Sequence, residues 1–401
     1  MTNDLLATLI PYALNWAGML LRWLHVIAAI AWIGASFYFV WLDNSLEPPK
    51  DPDIRAKGVD GELWAVHGGG FYNPQKYLVA PGTLPQHLHW FYWESYATWL
   101  SGFALLSVLY LYNAGIFLVD PQVYAWPSPA LAGFAAIGFL VIGWFVYDAI
   151  CRFLGQGQKG DRNVGLLVAV YVVMAAWLAC HLFAGRAAFL LTGAMLATMM
   201  SANVLFWIIP GQRRVVAAMR AGQPPNPLDG KRGKQRSVHN TYFTLPVVFA
   251  MLSNHDSFVY DAPNNWLVLV LMMLAGALIR QFFVLKHKGA WKWRYWVVAA
   301  AIILAVAVAL GPRPQPAPAS SKPVTFAQVQ RIVAERCLMC HAGAAASKGV
   351  RLDSAQAIVS HARDIDRQVV VTRAMPLNNA TRITDAERAE IAQWVKQGAK
   401  P

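Results

Sequence analysis

The sequence predicts an all-α protein, in which a polytopic bundle of about eight transmembrane helices is followed by a small all-α domain. Three observations support this prediction. Hydrophobic residues make up 57% of the 401 residues and charged residues only 14%, whereas soluble globular chains contain about 25% charged residues. Apolar stretches long enough to cross a bilayer recur along residues 1–311. A proline-rich segment then separates them from a polar C-terminal region.

The apolar stretches give the positions of the predicted spans. A transmembrane helix needs about 20 mostly apolar residues. The candidates are residues 12–42, 88–113, 129–153, 164–184, 187–209, 240–257, 264–285 and 294–311. The sixth is the weakest, because Pro246 lies inside it and would kink a helix.

Basic residues alternate between the loops that join these spans. The loops after the first, third, fifth and seventh spans carry Lys and Arg, whereas those after the second and sixth carry none and that after the fourth has only Arg186. Positively charged loops face the cytoplasm, so both termini are expected outside. The net charge of +13 lies mostly in these loops. It therefore predicts orientation and contact with membrane lipid, and not binding to nucleic acid.

Two further segments lie outside the spans. The loop 44–86 contains Gly68-Gly69-Gly70, and loops of this length are usually functional or ordered by contacts. Residues 312–323 are a proline-rich linker, which is typical of a semi-rigid spacer. In residues 324–401, Thr325 with Gln328 and Thr384 with Glu387 form capping-box patterns, so each is expected to open a helix.

The C-terminal region carries the motif Cys337-Leu338-Met339-Cys340-His341. Two thiols at this spacing can bind a haem covalently and the adjacent histidine can ligate its iron, so CxxCH is typical of c-type haem attachment. The alternatives are a zinc or redox pair, but the chain has no second CxxC pair that would complete a zinc site. We therefore expect one covalent haem c held by Cys337 and Cys340, with His341 as an axial ligand.

The second axial ligand is expected to be Met375, in Arg373-Ala374-Met375-Pro376. A thioether ligand raises the reduction potential and suits an electron acceptor. His361 is the rival ligand, and core packing is the other interpretation of Met375. The region 324–401 resembles a small class I cytochrome c domain. The loop charges place it on the outer, periplasmic side of an inner membrane.

Ionisable side chains within spans are costly and are hypotheses for function. His25 lies in the segment Trp23–Gly34, which resembles the first helix of several membrane haem-b and copper-handling families. A non-covalent haem b, with His25 and either His181 or His255 as ligands, is one hypothesis. A histidine that forms hydrogen bonds between helices is the other.

Three functions are compatible with these features. An oxidoreductase would oxidise a substrate in the membrane domain and pass electrons to the cytochrome. A membrane-anchored electron carrier would use the spans only as an anchor, although one span would suffice for that. A haem- or metal-handling membrane protein with a redox module is the third.

A resemblance separates these alternatives. The segments Val66-His67-Gly68-Gly69-Gly70-Phe71-Tyr72 and His239-Asn240-Thr241-Tyr242-Phe243-Thr244-Leu245-Pro246, the eight spans and the C-terminal CxxCH together resemble the bacterial membrane-bound urate hydroxylases of the PuuD type. The resemblance covers essentially the whole chain. It implies oxidation of urate to 5-hydroxyisourate in purine breakdown. Electrons would then pass through haem c to a respiratory cytochrome c or terminal oxidase.

Urate is a planar anion, so its site needs a cation, an aromatic wall and a base. Arg22 with His25 forms one candidate cluster near the outer face. The other lies near the inner face, where we expect the catalytic residues to be Glu94, His89, His239 and Asn240, with His87 beside them. We favour the inner cluster because purine catabolism is cytoplasmic. A site there would lie about 30 Å from the cytochrome, so it would require an intermediate electron carrier such as a haem at His25.

Overall fold

The computed structural model describes residues 2–77, 81–155, 160–311, 323–343 and 346–401. In chain order, its helices are α1 (Thr2–Ser45), α2 (Pro52–Ala56), α3 (Trp93–Leu106), α4 (Ala114–Phe117), α5 (Pro129–Leu154), α6 (Gly160–Leu182), α7 (Gly185–Asn203), α8 (Ile209–Arg220), α9 (Pro227–Leu252), α10 (Ser257–Tyr260), α11 (Asn265–His287), α12 (Arg294–Ala309), α13 (Phe326–Arg336), α14 (Leu338–His341), α15 (Ala355–Ser360), α16 (Ala362–Ile365) and α17 (Asp385–Lys396). Wider π-helical segments follow α3, α7 and α16, at Ser107–Leu111, Val204–Ile208 and Asp366–Val371. Short 3₁₀ segments are Ser253–His255, Ser347–Gly349 and Leu377–Asn379.

Every predicted span coincides with a helix of the structure. Within the described residues, five helical stretches are long and apolar enough to cross a membrane. They are Tyr12–Ser45, Pro129–Leu154, Gly160–Leu182, Gly185–Arg220 and Asn265–His287. The other three predicted spans fall on α3, α9 and α12. Two of these are short, with 14 residues in α3 and 16 in α12. The third, α9, begins in the polar sequence after Pro227.

The centre of the bundle is α7, which packs against α5, α6 and α9. Phe189, Met195 and Met199 of this helix are fully buried. A Cβ atom added to Gly143 on α5 would lie only 2.5 Å from Cγ of Met195, so the small residue permits the close approach of the two helices. By contrast, α1 packs mainly against α3 and exposes most of its other surface.

The long loop after α1 contains strands, so the all-α prediction is wrong for this part of the chain. Strands β1 (Val59–Glu62) and β4 (Gln75–Tyr77) pair in an antiparallel manner, and β2 (Ala65–His67) and β3 (Gly70–Tyr72) form a second pair inside them. Gly68 and Gly69 have φ angles of 57° and 79°, which glycine adopts at little cost in the turn of a hairpin. The sequence indicated the turn residues, but the strands are too short to show a clear alternation.

The C-terminal domain has its own core, in which α13 packs against α17. Both predicted capping boxes are confirmed, at Thr325 with Gln328 and at Thr384 with Glu387. The rings of Phe326 and Trp394 lie 5.8 Å apart and join the two helices. The predicted linker 312–323 lies outside the described residues except for Pro323.

The C-terminal domain contacts one end of the helical bundle. The Ser257 hydroxyl donates a hydrogen bond of 3.0 Å to the Thr372 carbonyl oxygen. A polar cavity of about 480 Å³ lies beside this contact, with Asp120 and Asp261 on the bundle side and Arg388 on the other. The loops that form this end are the ones poor in basic residues, so the domain lies opposite the basic loops.

Candidate functional site

A cavity of about 1230 Å³ opens between α1, α3, α8, α9 and α11. Trp32, Phe39, Trp90 and Phe91 provide aromatic side chains in its wall, and apolar residues of the segment 200–216 line another side. The contributing stretches all lie at the ends of helices that the basic loops join. The cavity is therefore at the end of the bundle opposite the C-terminal domain.

Glu94 and His89 both line this cavity. Glu94 is half-buried in the first turn of α3. The His89 ring packs edge-on against Phe91, with 4.7 Å between the ring centroids. A carboxylate and an imidazole therefore share one aromatic-walled space.

Asn240 also lines the cavity, and its side chain is held in place by hydrogen bonds. Its Nδ2 donates to the Met200 carbonyl oxygen at 3.0 Å, and its Oδ1 accepts from Asn203 Nδ2 at 2.9 Å. The side chain is 8% exposed. A buried amide held from both ends is well placed to present polar atoms in a fixed orientation.

His239 does not line the cavity. Successive residues of a helix point in different directions, and His239 faces α5 instead. Its Nδ1 lies 2.9 Å from the Tyr147 hydroxyl and 3.8 Å from Cys151 Sγ. The structure thus brings three of the four predicted catalytic residues, Glu94, His89 and Asn240, to the same cavity and places the fourth behind it.

Behind the cavity lies a buried polar network that the sequence did not predict. Arg236 Nη2 donates to Asp148 Oδ1 at 2.7 Å, and Arg236 Nη1 donates to Asn203 Oδ1 at 3.2 Å. Asn203 Nδ2 also donates to the Tyr147 hydroxyl at 2.9 Å. Arg236 lies in the basic stretch just before the sixth predicted span, 88 residues from Asp148, so no local pattern in the sequence indicates their pairing.

His25 forms the interhelical hydrogen bonds expected under one of its two interpretations. Its Nδ1 lies 3.0 Å from the Thr98 carbonyl oxygen and 3.2 Å from Ser101 Oγ, both on α3. Since a carbonyl oxygen only accepts, Nδ1 carries the proton and Nε2 keeps its lone pair. His181 bonds within its own helix, from Nδ1 to the Trp177 carbonyl oxygen at 2.7 Å, and His255 is exposed.

The CxxCH segment ends the first helix of the C-terminal domain. His341 Nδ1 donates to the Val350 carbonyl oxygen at 2.9 Å, which leaves Nε2 as a ligand atom, as in most metal-binding histidines. Cys337 and Cys340 are free thiols. Burial, with the neighbouring Cys340 adding to it, raises the pKa of the Cys337 thiol to about 11. Within the described ranges, no three His, Cys, Asp or Glu side chains are gathered to hold a metal ion.

Met375 packs against the core of the same domain. Its amide donates to the Gln368 carbonyl oxygen at 3.0 Å, and its carbonyl oxygen accepts from Arg388 Nη1 at 3.0 Å. The rival ligand His361 faces Asp364 instead, with 3.5 Å between Nδ1 and Oδ2. The two backbone hydrogen bonds of Met375 hold it beside the core of this domain.

Comparison with known families identifies the helical part of the chain. Residues 11–311 match the urate oxidase N-terminal family. Because the match covers most of the chain, this protein belongs to that family of urate-related oxidoreductases. The matched range contains the whole cavity and ends before the C-terminal domain. No curated protein and no solved structure matches the chain.

Proposed function

We propose that this member of the urate oxidase N-terminal family is a membrane-bound urate hydroxylase that passes electrons to a haem c on its C-terminal domain. The observation that supports this most is the aromatic-walled cavity inside the family-matched range, lined by Glu94, His89 and Asn240. A cavity of about 1230 Å³ has ample room for a bicyclic purine.

The reaction defines what the cavity must supply. Urate monoanion and one water molecule give 5-hydroxyisourate, one proton and two electrons. The oxygen atom added at C5 comes from water, and the two electrons leave to a separate acceptor. The site must hold a planar anion, position the water and accept the proton.

The cavity side chains divide these tasks. The Glu94 carboxylate is the best-placed base for the proton of the attacking water, with His89 as the second group able to accept it. The fixed Asn240 amide can pair with the ring carbonyl and N–H groups of the substrate. Phe39 and Phe91 supply flat apolar surface against which a purine ring can stack.

The C-terminal domain has the residues that a haem c needs. Cys337 and Cys340 would form the thioether bonds, His341 would ligate through Nε2, and Met375 would be the second axial ligand. Bound there, the haem would supply a one-electron acceptor, with a potential raised by the thioether ligand. A respiratory cytochrome c or terminal oxidase would take the electrons onward from the periplasmic side of the inner membrane.

The cavity and the C-terminal domain lie at opposite ends of the bundle. A bilayer core is about 30 Å thick, so an intermediate carrier is part of the proposal. His25 lies on α1 opposite Thr98 and Ser101, and its Nε2 keeps a lone pair. We propose a non-covalent haem b there. Acid–acetone extraction removes haem b and leaves haem c, so a colourless extract from pure protein contradicts this part.

The main test is anaerobic addition of urate to the purified protein. We expect the haem c absorbance bands to become those of the reduced form. A protein that is reduced by dithionite but not by urate would refute urate oxidation and favour the alternative, a membrane-anchored electron carrier or a module for another substrate. His341→Ala is the matched control, since it should abolish electron transfer and leave the bundle folded.

A further inference from the structure

Arg280 is a buried cation, and part of its guanidinium group has no partner among the described residues. Its side chain on α11 is only 4% exposed. Nε and Nη2 are buried and have no hydrogen-bond partner among the described residues. No described carboxylate forms an ion pair with it. Because arginine stays protonated in proteins, this charge needs compensation from another source.

The unpartnered atoms form one edge of the guanidinium group, and that edge is the one that binds carboxylates elsewhere in this chain. Arg214 uses Nε and Nη2 to hold Asp229, with distances of 3.1 and 2.6 Å to Oδ1. Arg336 uses the same two atoms to hold Glu387 Oε1, at 3.1 and 2.9 Å. In Arg280 the equivalent two atoms have no hydrogen-bond partner in the described part of the chain. Such a fork fits a planar anion with two acceptor atoms.

The position of Arg280 connects it with the cavity. Its Cζ lies 4.3 Å from the ring centroid of Phe37, and Phe37 stands in α1 between Ser36 and Phe39, which both line the cavity. One turn further along α11, Val284 lines the cavity as well. The residue after Arg280, Gln281, accepts a hydrogen bond from Tyr242, another lining residue. Arg280 therefore lies directly behind the lining residues of α1 and α11 and is not itself one of them.

The other buried arginines show that this lack of partners is not general. Arg236 pairs with Asp148 and Asn203. Arg388 donates to the carbonyl oxygens of Val369 and Met375. An ionisable group inside a membrane bundle is expensive and marks function more often than structure. We propose that the Nε–Nη2 edge of Arg280 recognises a planar organic anion bound in the cavity. Under the proposed function, on which this inference rests, that anion is urate.

Equilibrium binding of urate tests this inference. Dithionite-reduced, full-length protein cannot accept electrons from urate, so radiolabelled urate binds without turnover. We expect Arg280→Gln to weaken urate binding about 10- to 100-fold, since hydrogen bonds to a charged partner are lost. Arg280→Lys keeps the charge without the fork and should give an intermediate affinity. Arg294→Gln, at an exposed position on the next helix, should bind as the wild type does.

Neutral hypoxanthine serves as the second probe, because it has the purine shape without the negative charge. Its affinity should be unchanged in Arg280→Gln, and thermal unfolding should show that the variant is folded. Unchanged urate affinity in folded Arg280→Gln, or an equal loss for urate and hypoxanthine, would overturn the role of Arg280 alone. If the wild type itself neither binds urate nor is reduced by it, the proposed function fails, which is a separate outcome.

Discussion

Arg236 and Arg280 are both buried in the helical bundle, with 2% and 4% of their surfaces exposed, yet their surroundings differ. Arg236 lies in a closed network where Asp148 and Asn203 occupy its guanidinium group. Arg280 faces Phe37 beside a large cavity and has two unpartnered nitrogen atoms. Burial of a charge is thus compatible with a structural role and with a ligand-binding role. A complete set of hydrogen-bond partners in the protein indicates a structural role, and unpartnered nitrogen atoms indicate a ligand-binding role.

The comparison predicts that substitutions in the cavity lower kcat more than substitutions in the network behind it. Glu94→Gln removes a base from the cavity wall, and kcat with urate should fall about 10²- to 10⁴-fold. His239→Gln, one residue from Asn240 but facing Tyr147, should lower kcat less than about 10-fold. Steady-state rates with an artificial electron acceptor measure both. A larger loss in His239→Gln than in Glu94→Gln would reverse the assignment of the two regions.

Disruption of the Arg236 network should have its clearest effect on the free energy of unfolding. Asp148→Leu leaves the Arg236 charge buried without its carboxylate, which should cost about 3–5 kcal/mol of unfolding free energy. Asp43→Ala breaks the exposed pair with Lys76 and should cost at most about 1 kcal/mol. Unfolding of the detergent-solubilised protein by denaturant measures the difference. Equal costs for both variants would show that the buried network is not needed for stability.

Substitution of Arg280 should change the stability in the opposite direction to substitution of Asp148. In the absence of urate, Arg280→Met replaces an uncompensated buried charge with an apolar chain of similar length. The variant should be more stable than the wild type by about 1–3 kcal/mol. Saturating urate should remove this advantage, because it stabilises the wild type more than the weaker-binding variant. Thermal unfolding with and without urate measures both effects. A destabilised Arg280→Met without ligand would indicate an unrecognised structural partner.

Arg388 is a third buried arginine. Asp261 of the helical bundle faces it across the contact between the domains. Burial, reinforced by Asp120 and opposed by Arg388, raises the pKa of Asp261 to about 7 from its ordinary 3.8. The folded state therefore favours the protonated carboxyl. The stability that this protonation contributes is fully present below about pH 4 and is lost as the pH rises to about 7.

The free energy of unfolding should accordingly fall between about pH 4 and pH 7. The effect is expected to be about 1 kcal/mol or less, since Asp261 retains exposed surface and is screened by solvent. Unfolding of the detergent-solubilised protein by denaturant across this pH range measures it. Asp261→Asn should flatten the profile, and an unchanged slope in that variant would assign the pH dependence to another group.

The helices of the bundle were largely predictable because apolar length and composition are local properties of the sequence. Capping at Thr325 and Thr384 was equally local, since each involves a residue three positions away. The hairpin strands between Val59 and Tyr77 were missed, because three- or four-residue strands carry little periodic signal. The motif at Cys337, Cys340 and His341 was visible from spacing alone.

The sequence by itself determined which polar residues fall within or beside apolar helices, among them Glu94, Asp148 and Asn240. Only the tertiary structure decided what each one faces. Adjacent residues of α9 point to different neighbours, so Asn240 lines the cavity while His239 meets Tyr147. In the sequence, Arg236 and Arg280 both lie beside basic loops. Their difference arises from side chains distant in sequence, since Asp148 reaches the first and no described carboxylate reaches the second.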